Sequence, residues 1–208
     1  MCHKSSTGSW TCAGNLRDRP VTSSAAPGDA TIDASGAKSE HDLLVIAEGP
    51  LSAVPEGTVN DWLGDGGKVL LLAQSGSGDV AIPFPLHLVD LAPAWGSTPF
   101  IFTTTQGAFT SLAPCSVLAS ELLSVAPEFI FSDGSDGPPM AETAIGALKP
   151  PPEPLVGTVV GRVPVLGGQL TICQLPLTEG ALAGDALCAA VLADVLCWAA
   201  APALPAQN

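Results

Sequence analysis

From Asp42 onward the chain alternates short apolar runs with helical patterns. LLVIA at 43–47 is an unbroken apolar run that ends at Glu48, Gly49 and Pro50, as a strand buried on both faces ends in a loop. GTVNDWLGD at 57–65 then places Val59, Trp62 and Leu63 at helical spacing, and Gly64, Asp65, Gly66 and Gly67 stop the turn. KVLLLA at 68–73 reads as the next buried strand. Strand, short helix, strand is a βαβ unit, so the two strands are expected to be parallel.

Farther along, the pattern is broken by proline. Pro83, Pro85, Pro93 and Pro99 predict loop and a short edge strand over 80–100. PFIFTTT at 99–105 and EFIFS at 128–132 read as strands, and SVLASELLSV at 116–125 as a helix between them. SDGSDGPPM at 132–140 and KPPPEP at 149–154 are punctuation, the second a stiff connector. LVGTVVGR at 155–162 reads as a strand, and VPVLGGQLTICQLPL at 163–177 as a hairpin turning near Gly167 and Gly168. A closing helix is expected from about Gly184 to Ala200, where Leu187, Val191, Asp194 and Trp198 recur at helical spacing beside Leu192, Val195 and Leu196. Asp185 and Asp194 interrupt this stretch and no Lys or Arg flanks it, which argues against a membrane span. It is apolar nearly all round, so cover on two sides is expected, with Leu192 and Leu196 as the interface for a protein partner or a second copy.

Composition narrows the partners. The 208 residues are 47% apolar and 13% charged, enough for one sizeable domain. Net charge is -13, from 7 Lys plus Arg against 20 Asp plus Glu, and such a chain repels nucleic acid. Residues 1–41 are balanced, so the whole excess falls in 42–208, whose cations are Lys68, Lys149 and Arg162 alone. No multi-arginine phosphate clamp or polybasic membrane face can be built from these, which leaves neutral ligands or protein surfaces. Residues 1–41 are rich in Ser, Thr, Gly, Ala and Asp and carry no hydrophobic signal region, so they read as a poorly ordered leader in a cytoplasmic protein. Cys2, His3 and Cys12 lack the paired spacing of a zinc site. Cys115, Cys173, Cys188 and Cys197 sit in apolar segments and read as buried free thiols.

Catalytic constellations are scarce. A Ser or Cys hydrolase needs an imidazole beside its nucleophile, and only His3, His41 and His87 are available. GDGGK at 64–68 precedes a strand and lacks the Ser or Thr that would hold magnesium, so it is not a phosphate loop. Asp133 and Asp136 are acidic turn residues first and candidates for a glycosidase pair or weak calcium site second.

DLLVIAEGP at 42–50, NDWLGDGGKVLLLAQ at 60–74 and VPVLGGQLTICQLPL at 163–177 with its closing helix resemble the class I glutamine amidotransferase-like domain that accompanies β-galactosidase- and β-mannosidase-type glycoside hydrolases. The resemblance covers most of 42–200. It implies an α/β fold of the flavodoxin-like kind, a three-layer sandwich with a mostly parallel sheet, a C-terminal β-hairpin and a closing helix. Where active amidotransferases carry the nucleophilic Cys, this chain has Ala73, Gln74 and Ser75, and no histidine follows His87. Glutaminase chemistry is therefore not inherited. The family's first strand also lacks a counterpart in the leader, which implies truncation there.

The expected organisation is a leader over 1–41, one α/β domain over 42–202 and a tail over 203–208. The expected function is a non-catalytic accessory or assembly domain of a carbohydrate-active enzyme, without cofactor or metal. The alternatives are a hydrolase with a rearranged carboxylate site, using Glu48 and Asp133 on a neutral sugar, and a small-molecule sensor. A doubly wound sheet binds ligands beyond the carboxyl ends of its strands, which nominates Glu48, Gly49, Gln74, Ser75, Thr104 and Gln106.

Overall fold

The computed structural model describes residues 2–4, 10–12, 22–23, 43–76, 87–91, 100–104, 109–114, 120–132, 142–149 and 155–202. In chain order the elements are β1 (Cys2–Lys4), β2 (Trp10–Cys12), β3 (Thr22–Ser23), β4 (Leu43–Ile46), β5 (Gly49–Pro50), α1 (Glu56–Gly64), β6 (Lys68–Leu71), β7 (Gln74–Ser75) and β8 (Leu88–Asp90). They continue with β9 (Phe100–Thr103), β10 (Phe129–Phe131), β11 (Glu142–Lys149), β12 (Leu155–Val165), β13 (Gly168–Cys173), α2 (Thr178–Leu182) and α3 (Ala186–Ala200). Short 3-10 turns occupy Leu51–Ala53 and Ser120–Val125.

The βαβ reading of 43–73 holds. β4 and β6 are parallel neighbours from Leu43↔Lys68 to Ile46↔Leu71. Between them α1 buries Val59 and Leu63 in one core with Leu44, Val69, Leu71, Leu170 and Ile172. Gly66 ends α1 at φ 78, a conformation that costs glycine nothing. Side chains alternate across each strand, so Leu43, Val45, Leu70, Leu72 and Cys173 point to the other face, into the core that holds α3. β4, β6 and β13 thus carry a helix on each face.

The sheet is mixed where a mostly parallel one is expected. β13 pairs parallel with β6 but antiparallel with β12, and β11, β10, β9 and β8 continue antiparallel. The cause is local. Leu166 at φ 54 and Gly167 at φ 98 form a two-residue turn, and such a turn can only return a strand alongside its predecessor. The turn lies one residue earlier than expected. β12 runs through 155–165 as one strand, with Pro164 placed beyond Glu142↔Arg162, the last β11 pair, so its missing N–H breaks no ladder. β11 has no counterpart in the sequence reading. Along one edge β12 pairs with β13 over Val160 to Val165 and with β10 at Thr158, while β11 follows the other edge. This branching curls the sheet around α3.

That curl changes the expectation for the closing helix. Leu192 and Leu196 are 7% and 4% exposed, inside one core with Ile101, Leu112, Leu122, Val125 and Ile145. Both sides of α3 are covered by the chain itself, so the apolar surface assigned to a partner through Leu192 and Leu196 is already buried. No helix among the described residues is long and apolar enough to cross a membrane.

Within residues 1–41, β1 pairs with β2, and β3 adds to the sheet parallel to β4. The rest of that expected leader, together with His41, Cys115, Asp133, Asp136, the Pro run at 150–154 and the tail at 203–208, lies outside the described residues. The helix expected over 116–125 is described only from Ser120, as a 3-10 turn.

Candidate functional site

The carboxyl ends of β4 and β6 bring four of the six nominated residues together. β5 and β7 extend the two strands as a short parallel pair, Gly49↔Gln74 and Pro50↔Ser75, and the Gly49 N–H donates to the Ala73 carbonyl at 3.1 Å. Glu48 leaves β4 and reaches the start of α2, where its Oε1 accepts the N–H groups of Leu177 at 2.9 Å and Thr178 at 2.8 Å. A carboxylate at that place satisfies backbone donors that a helix start leaves open.

Gln74 turns inward and is buried. Its Nε2 donates to the Ala47 carbonyl at 3.0 Å and to the Leu72 carbonyl. Its own N–H donates to Oε1 of the buried Gln174 at 3.1 Å, and the Gln174 N–H donates to the Val159 carbonyl at 2.8 Å. Gln174 was not nominated from the sequence, although it stands one residue past the strand carrying TIC, where a strand-end side chain is expected to act. Gln74 and Gln174 therefore clasp the ends of β4, β6 and β13 to one another, and Glu48 ties the end of β4 to the start of α2.

Ser75 is exposed, and its hydroxyl lies 3.5 Å from the Gly49 carbonyl. Cys173 lies beneath the clasp, fully buried, with its thiol pushed up to about 12 by burial, and Glu48 adds to the rise. A thiol held in that form is not a nucleophile. Burial likewise raises the Cys188 thiol, with Asp185 adding to it.

Thr104 sits elsewhere. It follows β9, which joins the sheet through β11, so β11, β12 and β13 stand between it and β6 in strand order. Its hydroxyl donates to the Thr143 carbonyl at 2.6 Å, and its N–H to the Ala144 carbonyl at 2.9 Å. A cleft of about 20 Å³ lies there, lined by Thr103, Thr104, Phe109, Leu112, Ala113, Pro114, Ala144 and Ile145. That is room for one or two water molecules and far below the volume of a ligand pocket. Gln106 lies outside the described residues.

Two of the three cations of residues 42–208 reach the end of α3. Lys68 Nζ donates to the Ala200 carbonyl at 2.6 Å, Arg162 Nη1 to Trp198 at 3.2 Å and Gln169 Nε2 to Ala199 at 3.1 Å. Three carbonyls at the negative end of the helix are thereby satisfied, two of them by positive groups. Among the described residues no group of three or more His, Cys, Asp and Glu could hold a metal ion. No protein family, curated protein or solved structure matches this chain.

Proposed function

We propose that the chain is a non-catalytic accessory or assembly domain, related in its β4–α1–β6 half to the flavodoxin-like class I amidotransferase-like domains that accompany glycoside hydrolases. The clasp at the strand ends carries the reading. Where a doubly wound enzyme would present its reacting groups, the Glu48 carboxylate and the Gln74 side-chain amide are engaged with backbone N–H and C=O groups, and Gln174 Oε1 accepts the Gln74 N–H. Glu48, the carboxylate of the alternative hydrolase reading, is held by two backbone donors and serves as a cap.

Association with a carbohydrate-active enzyme rests on the resemblance of residues 42–50, 60–74 and 163–177. The free thiols of Cys173, Cys188 and Cys197 suit a reducing, cytoplasmic setting. Ammonia release from L-glutamine by the purified chain tests the non-catalytic reading. No turnover above buffer is expected, while Gln74→Ala should lower the melting temperature by removing the side-chain bonds to the Ala47 and Leu72 carbonyls. Turnover that disappears in Ser75→Ala would overturn the proposal.

A further inference from the structure

Asp194 sits on α3, in the middle of an otherwise apolar helix. Its carboxylate accepts four hydrogen bonds from two consecutive residues of the 109–114 segment. Oδ2 takes the Thr110 N–H at 2.8 Å, the Ser111 N–H at 2.9 Å and the Ser111 hydroxyl at 2.6 Å, and Oδ1 takes the Thr110 hydroxyl at 3.0 Å. The same segment is tied at its other end, where the Thr103 hydroxyl donates to the Ala113 carbonyl at 2.6 Å. It sets Phe109 against Trp198, ring centres 6.1 Å apart, and Leu112 into the core.

Four residues of this segment, Phe109, Leu112, Ala113 and Pro114, form one wall of the small cleft, and the end of β9 and β11 form the rest. The ladder between β11 and β12 shifts register on either side of Ile145, which faces the cleft. Irregularities of that kind accumulate beside functional sites because they re-aim local groups. Among the described residues the hydrogen bonds that hold this segment converge on one carboxylate and one hydroxyl, beside the packing of Phe109 and Leu112, so a change at Asp194 alone removes most of them.

We propose that residues 109–114 are a strap latched shut by Asp194 over the cleft between β9 and β11, and that the strap opens as a unit while the sheet stays folded. Opening frees the Thr103 hydroxyl from Ala113 and widens the cleft on the side that Phe109 and Leu112 now fill. The inference is independent of the accessory-domain reading, because it concerns the opposite part of the sheet from the clasp.

Amide hydrogen exchange on the full chain tests it. In Asp194→Ala the amides of Thr110 and Ser111 should exchange at least about tenfold faster than in the wild type, since hydrogen bonds to an ionised group are the strong ones. The amides of Leu170, Thr171 and Ile172 in β13 should be unchanged. The double variant Thr110→Ala with Ser111→Ala removes only the two hydroxyl donors and should give a smaller rise confined to the same amides. An equal rise in β13 in both variants would mean that the strap is inseparable from the core. No rise at Thr110 and Ser111 would mean that Asp194 latches nothing. Either result overturns the proposal.

Discussion

The guanidinium of Arg162 lies 4.7 Å from the centre of the Trp198 ring and donates to that residue's own carbonyl at 3.2 Å. It also forks onto Glu142, with Nε to Oε2 at 3.0 Å and Nη2 to Oε1 at 3.1 Å. One buried cation thus joins β12, β11 and the end of α3. Planar geometry is needed for both the fork and the stacking, which Lys cannot supply.

Arg162→Ala should therefore destabilise the fold by roughly 3–5 kcal/mol, because it leaves the mostly buried Glu142 carboxylate without its charged partner. Arg162→Lys should recover only part of that loss. Urea unfolding followed by circular dichroism measures both, and a loss below about 1 kcal/mol for Arg162→Ala would show that the pair is a surface-like contact.

Leu192→Glu together with Leu196→Glu should abolish cooperative folding. Both positions lie in the core around α3, and a buried unpaired carboxylate costs several kcal/mol against a total stability of about 5–15 kcal/mol. Far-ultraviolet circular dichroism and a thermal melt decide this. A double variant that melts cooperatively near the wild-type temperature would show that this side of α3 faces solvent.

Stability should fall above pH 9. The Cys173 thiol has its pKa raised from 9.0 to about 12 by burial, so between those values the folded chain keeps a proton that the unfolded chain releases. The stabilising contribution is fully present below pH 9 and is lost as pH rises towards 12, at about 1.4 kcal/mol per pH unit from this group. Urea midpoints at pH 8, 9.5 and 10.5 should drop more steeply for the wild type than for Cys173→Ala. Parallel slopes for the two proteins would contradict the assignment.

Local patterns in the sequence were enough for the βαβ half and the closing helix. LLVI, VLL and the Val59, Leu63 spacing are apolar signals that hold in any context with two-sided burial, and Gly66 and Gly67 end α1 wherever it packs. Glu48, Gly49, Gln74 and Ser75 were legible as neighbours for the same reason, since parallel strands with matched ends must bring their exits together.

The rest needed tertiary structure. ETAIGALK forms β11 although Ala, Gly and Glu have little strand preference, because β12 and β9 supply hydrogen-bond partners along both its edges. Gln174 became part of the clasp only when β13 was set beside β6 and its side chain met the Gln74 amide, 100 residues away in sequence. The excess apolar surface of α3 reads from sequence as a surface awaiting a partner. What covers it is the chain's own curled sheet, and curl depends on which strands branch from β12, a non-local choice that no window of residues encodes.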